Sequence, residues 1–492
     1  MSLINVTNLT FAYDGSYDNV FENVSFQIDT DWKLGFTGRN GRGKTTFLNL
    51  LCGRYEYSGT ISTSMNFEYF PYEVKDKEMD TMEVIKGICP DCMDWEILRE
   101  ISMLDVSEDT LYRPFSTLSN GEQTKTLLAA LFLTSNSFLL IDEPTNHLDQ
   151  AARRTVGNYL KRKHGFILVS HDRTFLDYCV DHILSINKAN IEIQKGNFSS
   201  WWENKQLQDN FEMAENEKLK KDISRLSAAA KRNANWSDRV ESTKNGTTNS
   251  GSKLDKGYVG HKAAKMMKRS KVIEARQQVA IEKKSGLLKN LEENSSLQIS
   301  PLPYHSNRLL ELNGVSVSYG NKLVCENISF TINQGDRIAL SGKNGCGKSS
   351  LLKLICGEHI NHRGNIDLGN GLKISYVPQD TSHLSGSLST YAAEHHIDES
   401  LFKAILRKFD FQRVQFEKDI SDFSGGQKKK VLIAKSLCEK ANLYVWDEPL
   451  NFIDVLSRMQ IEDLILQYNP TLIFVEHDDA FCHNIATKLV NL

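Results

Sequence analysis

Hydrophobic and polar residues alternate along two stretches, Leu3–Tyr13 and Leu309–Tyr319, as they do in strands that bury one face. Short apolar runs follow each stretch, at Trp32–Thr37, Phe138–Ile141 and Phe166–Val169 and again at Arg337–Ser341, Leu443–Val445 and Thr471–Val475. Such runs are typical of buried strands, and helical segments, two of them beginning at Lys44 and Lys348, lie between them. The pattern predicts an α/β fold with a mostly parallel sheet.

The two halves of the chain repeat each other. Five pairs of residues with similar surroundings are separated by 304 to 306 positions: Tyr13 and Tyr319, Lys44 and Lys348, Ser119 and Ser424, Glu143 and Glu448, His171 and His477. A nearly constant separation predicts a duplicated domain. We expect a first domain at residues 1–199 and a second at 302–492, with an insert at 200–301.

The insert has a helical pattern at both ends. Apolar residues recur at heptad-like spacing near its start (Leu219, Ile223, Leu226 and Ala230) and at intervals of seven near its end (Met266, Ile273, Ala280 and Leu287). A polar tract rich in Gly, Ser and Asn, residues 242–260, separates the two patterns. We predict a hairpin of two helices of roughly 30–38 residues each, with this tract as its tip loop.

Positive charge is concentrated in the insert. The 492-residue chain has a net charge of −3, yet Lys218–Lys289 contains 19 Lys/Arg against 6 Asp/Glu, while residues 60–113 contain 13 acidic residues against 5 basic ones. A basic segment on an otherwise acidic protein indicates contact with nucleic acid, and a solvated helical face is the alternative interpretation. No apolar run approaches the roughly 20 residues of a membrane-spanning helix, which argues against a transporter.

Cysteine usage does not indicate a metal or redox site. Nine cysteines are scattered along the chain, with one close pair, Cys89 and Cys92. A metal or redox site would need a second pair or a His cluster nearby. We therefore expect free thiols in a reducing compartment.

Two loops of the form G-x-x-x-x-G-K-[ST], Gly38–Thr45 and Gly342–Ser349, indicate phosphate binding. In this motif backbone N–H groups close around phosphates, the lysine supplies positive charge, and the last hydroxyl is available to Mg²⁺. The predicted ATP contacts of the loops are Gly38, Asn40, Gly41, Gly43, Lys44, Thr45 and Thr46, and Gly342, Asn344, Gly345, Gly347, Lys348, Ser349 and Ser350.

An apolar strand in each half ends in Asp-Glu, at Asp142-Glu143 and at Asp447-Glu448. The aspartate can orient water on Mg²⁺, and the glutamate can accept a proton from an attacking water molecule. Together with the phosphate loops, these pairs predict an ATPase that uses ATP and Mg²⁺.

The chain then resembles the ATP-binding-cassette superfamily, because it also contains the signature sequences Leu118–Gln123 and Phe423–Gln427 and the histidines His171 and His477. In that superfamily two cassettes enclose two ATP molecules head to tail. The resemblance implies that Lys44 and Glu143 share a site with Ser424, and that Lys348 and Glu448 share one with Ser119. It also implies the following roles: catalysis by Glu143, Glu448, His171 and His477, ATP contacts from Ser119, Gly121, Ser424 and Gly426, and adenine stacking by Tyr13 and Tyr319.

The sequence Glu143–Asp149 narrows the resemblance to ABC-F proteins, twin-cassette ATPases that act on ribosomes and join their cassettes by a helical hairpin. Three stretches, Leu118–Lys125, Trp446–Asp454 and Gly260–Arg269, resemble the antibiotic-resistance branch of ABC-F, of the Lsa type with Vga-like relatives next. Lys44 and Ser119 are 75 residues apart and Lys348 and Ser424 are 76 apart, so no sizeable arm is inserted in the first cassette.

The two sites differ from each other in sequence. Gln379 matches the family glutamine that touches Mg²⁺, whereas the first half has Tyr72 there. Leu450–Phe452 stands where the first half has Thr145–His147. We expect unequal kinetics and a metal-binding set of Thr45, Asp142, Ser349, Gln379 and Asp447.

The resemblance implies a cytoplasmic, ribosome-associated monomer without membrane subunits, whose cassettes pair within one chain. Its hairpin would reach the peptidyl-transferase centre from the tRNA exit site, contact 23S rRNA and P-site tRNA, and protect the ribosome from lincosamides, streptogramin A compounds and pleuromutilins. The predicted RNA contacts are Lys244, Lys253, Lys256, Lys262, Lys265, Lys268 and Arg269. The alternatives are a translation-regulating or ribosome-assembly factor without a drug role, and the ATPase subunit of a drug exporter.

Overall fold

The structure is a computed structural model that describes residues 2–13, 19–146, 148–187, 190–242, 268, 272, 297–320, 322–343 and 345–492. The chain divides into two compact units. One consists of Met1–Trp201 together with Asn294–Leu492, and the other is Trp202–Glu293. Below, the first half is the part of the first unit up to residue 201, and the second half is its part from residue 297 onward.

The first half alternates strands and helices along the chain. Its elements are β1 (Leu3–Phe11), β2 (Phe21–Asp29), β3 (Lys33–Thr37), α1 (Lys44–Leu51), β4 (Ser58–Ser62), β5 (Asn66–Phe70), α2 (Thr81–Ile88), α3 (Asp94–Met103), α4 (Asn120–Leu133), β6 (Ser137–Asp142), α5 (Gln150–Lys161), β7 (Phe166–Val169), α6 (Arg173–Cys179), β8 (His182–Asn187) and β9 (Asn190–Lys195). Short 3₁₀ turns at Glu108–Tyr112 and Phe115–Thr117 lead into α4.

A long helix and the second half follow. The elements are α7 (Phe198–Ser242), β10 (Arg308–Tyr319), β11 (Lys322–Asn333), β12 (Arg337–Ser341), α8 (Lys348–Ile355), β13 (His362–Leu368), β14 (Ile374–Val377), α9 (Leu388–Glu394), α10 (Glu399–Lys408), α11 (Gly425–Cys438), β15 (Leu443–Asp447), α12 (Val455–Tyr468), β16 (Leu472–Val475), α13 (Asp479–Ile485) and β17 (Lys488–Asn491). The predicted strand and helix pattern of each half, including helix starts at Lys44 and Lys348, is confirmed.

Each half contains one antiparallel and one largely parallel sheet. The antiparallel sheets have the orders β2-β1-β4 and β11-β10-β13. The larger sheets have the orders β5-β6-β7-β3-β8-β9 and β14-β15-β16-β12-β17, and among these described strands every pair is parallel except β8 with β9. In the first half β3, which precedes the phosphate loop, lies beside β7, which precedes His171, and β7 lies beside β6, which ends at Asp142. Strands β12, β16 and β15 repeat this order in the second half. The three motifs of each half therefore meet at the carboxyl edge of one sheet.

The hydrophobic cores lie between the two sheets of each half and beneath the helices. Residues such as Phe36, Phe47 and Phe138 fill the first half, and Leu340, Leu352 and Val445 occupy the corresponding space in the second. A further core under α9 to α13 includes Trp446 and Phe474. Burial on both faces of β6 and β15 explains why Phe138–Ile141 and Leu443–Trp446 are apolar up to the aspartate that ends each strand.

Two sequence expectations are wrong. Helix α7 has 45 residues rather than 30–38, and it begins at Phe198, two residues before the predicted insert, where Asp177 accepts a hydrogen bond of 2.7 Å from the Ser199 N–H. Residues 243–260 of the predicted tip tract lie outside the described residues. The expected free thiols of Cys89 and Cys92 are instead joined in a disulfide, because the turn after α2 brings their Cα atoms to 5.7 Å.

Candidate ATP-binding sites

Each phosphate loop occupies the turn between a buried strand and a helix, β3 to α1 and β12 to α8. Gly43 and Gly347, which precede the helices, have φ angles of 93° and 96°, in the left-handed region that favours glycine. A Cβ on Gly43 would lie 2.6 Å from Val20 Cγ1, and one on Gly347 would lie 2.8 Å from Val324 Cγ1. Both backbone conformation and space therefore require glycine at these two positions.

The loop lysines are buried and point into their own loops. Lys44 Nζ donates hydrogen bonds to the carbonyl oxygens of Gly38 (2.6 Å) and Arg39 (3.2 Å). Lys348 Nζ donates to those of Gly342 (2.8 Å) and Lys343 (3.0 Å). Burial lowers the pKa of Lys44, although neighbouring carboxylates counteract this. Each ammonium group thus lies within the loop that would surround a phosphate chain.

Hydroxyl and carboxylate oxygens converge beside each loop. Thr45 Oγ1 donates a hydrogen bond of 3.1 Å to Asp142 Oδ2. In the second half the buried Asp447 lies beside Ser349, and burial raises the pKa of Asp447 to about 6, a rise that the Ser349 hydroxyl opposes. Because Mg²⁺ prefers oxygen ligands and often binds through one carboxylate and a phosphate, these residue pairs fit a magnesium ion held together with ATP.

The two glutamates adopt an uncommon backbone conformation directly after their strands. Glu143 and Glu448 have φ angles of 51° and 46°. These values lie in the left-handed region, which residues other than glycine seldom adopt. Their N–H groups donate to the carbonyl oxygens of Val169 and Val475 at 2.9 and 3.0 Å. Strained conformations of this kind cluster at functional sites, and here the turn aims each carboxylate at the sheet edge.

Several donors surround the Glu448 carboxylate. Gln379 Nε2 and Asn451 Nδ2 donate to Glu448 Oε2 at 2.8 and 2.5 Å, and His477 Nε2 lies 3.5 Å from Oε1. Burial alone would raise the pKa of Glu448, but the His477 interaction, together with the Gln379 bond, holds it below its ordinary value. An ionised carboxylate is what a general base requires.

The Glu143 carboxylate has different surroundings. His171 Nε2 lies 3.2 Å from Glu143 Oε1. Tyr72, in the position of Gln379, donates its hydroxyl to Glu68 at 3.1 Å instead, and Tyr69 donates to Asp142 at 2.9 Å. Burial, with the Asp142 charge adding to it, raises the pKa of Glu143 to about 8.

The structure brings predicted residues of opposite halves together. One cavity of about 1040 Å³ is lined from the first half by Ser119 and Gly121 and from the second by Gly345, Gly347, Lys348, Ser349, Ser350, Gln379, Glu448 and His477. At the other site, a Cβ on Gly426 would lie 3.0 Å from Asn40 Nδ2, which shows that the second signature sequence faces the first phosphate loop. Ser119 and Ser424 are the N-caps of α4 and α11, so helix N-termini, which favour anions, face both loops.

The two tyrosines expected to stack on adenine are held alike. The Tyr13 hydroxyl lies 2.5 Å from Thr46 Oγ1, and the Tyr319 hydroxyl lies 3.1 Å from Ser350 Oγ. Both side chains are about half exposed, at 45% and 52%. A tethered, exposed ring beside a phosphate loop suits contact with a nucleotide base, which stays a prediction.

Some predicted residues cannot be placed. Asn344 and the predicted RNA contacts Lys244, Lys253, Lys256, Lys262, Lys265 and Arg269 lie outside the described residues. Lys268 is described and is an exposed helical residue. The role of this group in RNA binding stays a prediction.

Sequence reasoning did not find the contacts that join the halves. Arg42, inside the first phosphate loop, pairs with Asp410 after α10, with Nη2 and Oδ2 2.8 Å apart. Arg153 Nη1 donates to the carbonyl oxygen of His477 at 3.0 Å. Arg153 and Asp410 could have drawn notice because Arg458 and Asp105 repeat them at a separation of 305 positions, but nothing local in the sequence distinguishes Arg42.

Comparison with known proteins agrees with this geometry. Residues 21–146 and 325–451 match the family described as "ABC transporter". The chain belongs to the ABC transporter family. The chain is therefore an ATP-binding ATPase. No helix in the described part of this cassette protein is long and apolar enough to span a membrane.

Relatives that match 93–99% of this chain narrow the family to ABC-F-type ATP-binding proteins. The chain is similar to the ATP-binding protein Uup of Buchnera aphidicola (27% identical, covering 99% of this chain and 80% of Uup). It is also similar to the ribosome protection protein VmlR of Bacillus subtilis (28%, covering 99% and 86%) and to the probable ATP-binding protein YheS of Escherichia coli K12 (28%, covering 93% and 74%).

Solved structures share the fold. The archaeal ribosome recycling factor aABCE1, in its complex with the stalk protein aP1, has a TM-score of 0.62 at 17% identity, with 98% of this chain and 87% of that chain covered. The RNase-L inhibitor has a TM-score of 0.60 at 17% identity, with 99% and 87% covered. The expected architecture of two α/β cassettes is confirmed.

Proposed function

We propose that this ABC-F-type ATPase binds the ribosome and protects it from lincosamides, streptogramin A compounds and pleuromutilins. The observation that carries the proposal is α7, a 45-residue helix that starts in the cassette unit. Its C-terminal part belongs to the basic segment Lys218–Lys289, which has 19 basic and 6 acidic residues. ATP-driven cassettes that carry such a segment between them suit a polyanionic target such as rRNA. VmlR, which is called a ribosome protection protein, covers 99% of the chain and supports this choice.

In the proposed cycle, ATP and Mg²⁺ close the paired cassettes of one chain, and the closed protein binds at the tRNA exit site. The segment at 200–301 contacts 23S rRNA and P-site tRNA, and its tip at 242–260 displaces the drug or resets the tRNA. Hydrolysis, with Glu143 and Glu448 as candidate bases, then releases the protein. The factor works as a cytoplasmic monomer without membrane subunits.

A second candidate is a translation-regulating or ribosome-assembly factor without a drug role. It is favoured by relatives such as Uup and YheS, which match the chain at 27–28% identity and whose names mention only ATP binding. The cassettes are common to both candidates, so the tip has to distinguish them.

Two measurements test the proposal. Glu143→Gln with Glu448→Gln removes both candidate bases while leaving binding groups in place, so the double variant is expected to pellet with ribosomes in ATP more than the wild type does. Minimum inhibitory concentrations are then compared at matched expression for the wild type and a variant with several residues of 242–260 removed. We expect resistance to be lost with ATPase activity retained. A wild-type protein that gives no resistance but pellets with ribosomes would favour the second candidate, and one that does neither would refute both.

A further inference from the structure

The first phosphate loop is attached to the opposite half by its own side chains. Arg42 donates three hydrogen bonds of 2.8–3.1 Å to the Asp410 carboxylate through Nε and Nη2. Asn40 Nδ2 donates to the carbonyl oxygen of Phe452 at 2.6 Å. A bidentate arginine–carboxylate pair is among the stronger polar contacts in proteins. These contacts fasten the first phosphate loop to the second half.

The second phosphate loop cannot form the same ion pair. Its residue equivalent to Arg42 is Cys346, and the residue equivalent to Asp410 is Asp105. Asp105 lines the cavity of about 1040 Å³ that contains Lys348 and Ser119. A cysteine has no cationic group for Asp105 to bind, so this contact between the loop and the other half is absent among the described residues.

The two sites also differ in what orients the glutamate. Glu448 accepts hydrogen bonds from the side-chain amides of Gln379 and Asn451. At the first site Tyr72 occupies the glutamine position and is bonded to Glu68. Asn146, the counterpart of Asn451, lines the cavity of the second site. Amide donors therefore hold Glu448 at its site, and no described amide side chain holds Glu143.

We propose that the two sites perform different tasks: the site of Lys348, Glu448 and Ser119 turns ATP over, and the site of Lys44, Glu143 and Ser424 retains its nucleotide and keeps the halves joined. Gln379 and Asn451 act as positioning residues for Glu448. At the turnover site Glu448 takes a proton from water as the water oxygen bonds to the γ-phosphorus. The bond from that phosphorus to the β–γ bridging oxygen breaks, and ADP leaves with the electron pair. This proposal depends on the ATPase activity and not on any ribosomal role.

Single substitutions of the two glutamates in the purified full-length chain test the division directly. Without ribosomes, Glu448→Gln is expected to lower kcat by about 100-fold or more, the scale of a lost general base, and by about tenfold or more beyond the loss caused by Glu143→Gln. Both changes are isosteric, and equilibrium binding of a fluorescent ATP analogue checks that each variant is folded. Equal losses, or a larger loss in the Glu143 variant, would overturn the proposal.

Retention is measured with ATP that is labelled on both the α- and γ-phosphates. After removal of unbound nucleotide, the wild type is expected to keep one slowly exchanging population that still carries both labels, while the other population loses its γ label. Two populations that lose the γ label at the same rate would contradict a retained nucleotide.

A gain of function provides a third test. In the Glu448→Gln background, Tyr72→Gln supplies the missing amide at the first site and is expected to increase single-turnover hydrolysis several-fold. Tyr72→Phe, which removes the hydroxyl without adding an amide, is the matched control and is expected to give no gain. If Tyr72→Gln and Tyr72→Phe change single-turnover hydrolysis equally, the missing amide is not the cause of the functional difference between the two sites.

Discussion

Arg153 Nη1 in the first half donates a hydrogen bond of 3.0 Å to the main-chain carbonyl oxygen of His477 in the second half. The same guanidinium bonds to the carbonyl oxygen of Leu148 at 3.1 Å and to Asp172 at 3.3 Å. His477 in turn lies beside Glu448. The arginine thus connects α5 of one cassette to the candidate base of the other.

We therefore expect Arg153→Ala to lower kcat by about fivefold, the rate equivalent of one net hydrogen bond of about 1 kcal/mol. Steady-state ATP hydrolysis at saturating ATP measures this effect. Arg458→Ala is the matched variant in the other half. Arg458 donates its hydrogen bonds within its own half, to Ile453, Leu450 and Asp478. The main effect of Arg458→Ala should therefore be a loss of thermal stability. An Arg153 variant with unchanged kcat would contradict the link to His477.

The ion pair between Arg42 and Asp410 predicts a rescue. Arg42→Asp alone places two carboxylates together and should speed nucleotide release from the first site by about tenfold or more. The double change Arg42→Asp with Asp410→Arg restores opposite charges and should recover most of the retention. Stopped-flow release of a fluorescent ATP analogue measures each rate.

The outcome that would count against this contact is a double variant that releases nucleotide as fast as Arg42→Asp. Cys346→Ser serves as a control for changes in a phosphate loop, since that residue has no ion pair to lose. Its release rate from the first site should match that of the wild type.

The buried carboxylate of Glu100 predicts an acid-sensitive region in the first half. It accepts hydrogen bonds of 2.6 Å from both the Tyr159 hydroxyl and Lys163 Nζ. Burial would raise the pKa of Glu100, but these bonds and the Lys163 charge hold it below its ordinary value. A carboxyl with a lowered folded-state pKa stabilises the fold above its unfolded pKa of about 4.3 and loses that contribution as the pH falls through the folded value.

Glu100→Gln should accordingly lower the free energy of unfolding of the first half by about 1–3 kcal/mol at neutral pH. This corresponds to a Tm lower by roughly 3–10 °C for the unfolding of that half. The difference from the wild type should shrink as the pH falls below about 4. Scanning calorimetry at several pH values measures it, with the exposed Glu83→Gln as control. A difference that is constant with pH would mean that ionisation of Glu100 is not what stabilises the region.

The positive charge of the insert predicts salt-sensitive ribosome binding. We expect charge reversal at four basic residues to weaken co-sedimentation with ribosomes at about 0.15 M salt and to reduce its salt dependence, because phosphate contacts release counterions. The four residues are Lys262, Lys265, Lys268 and Arg269. Reversing Lys75 and Lys77, which are exposed in the first half, is the control for charge alone. If the four-residue variant co-sediments like the wild type, the insert does not bind the RNA.

Local chemistry made much of the molecule predictable from the chain alone. The left-handed glycines before Lys44 and Lys348, the apolar strands that end at Asp142 and Asp447, and the capping serines Ser119 and Ser424 follow from short-range rules. The family match confirms the ATPase that these motifs predict. The start of α7 was expected to within two residues, but its capping by Asp177, a carboxylate on another helix, was not.

Contacts between distant parts of the chain were decided only by the tertiary structure. Arg42 and Asp410 are 368 residues apart and resemble many exposed charged residues until the halves meet. Gln379 and Tyr72 differ in sequence, but only their bonds, to Glu448 in one case and to Glu68 in the other, show what the difference does. Hydrogen bonds and ion pairs act over a few ångströms, so their partners are set by how the sheets and halves pack rather than by residue type.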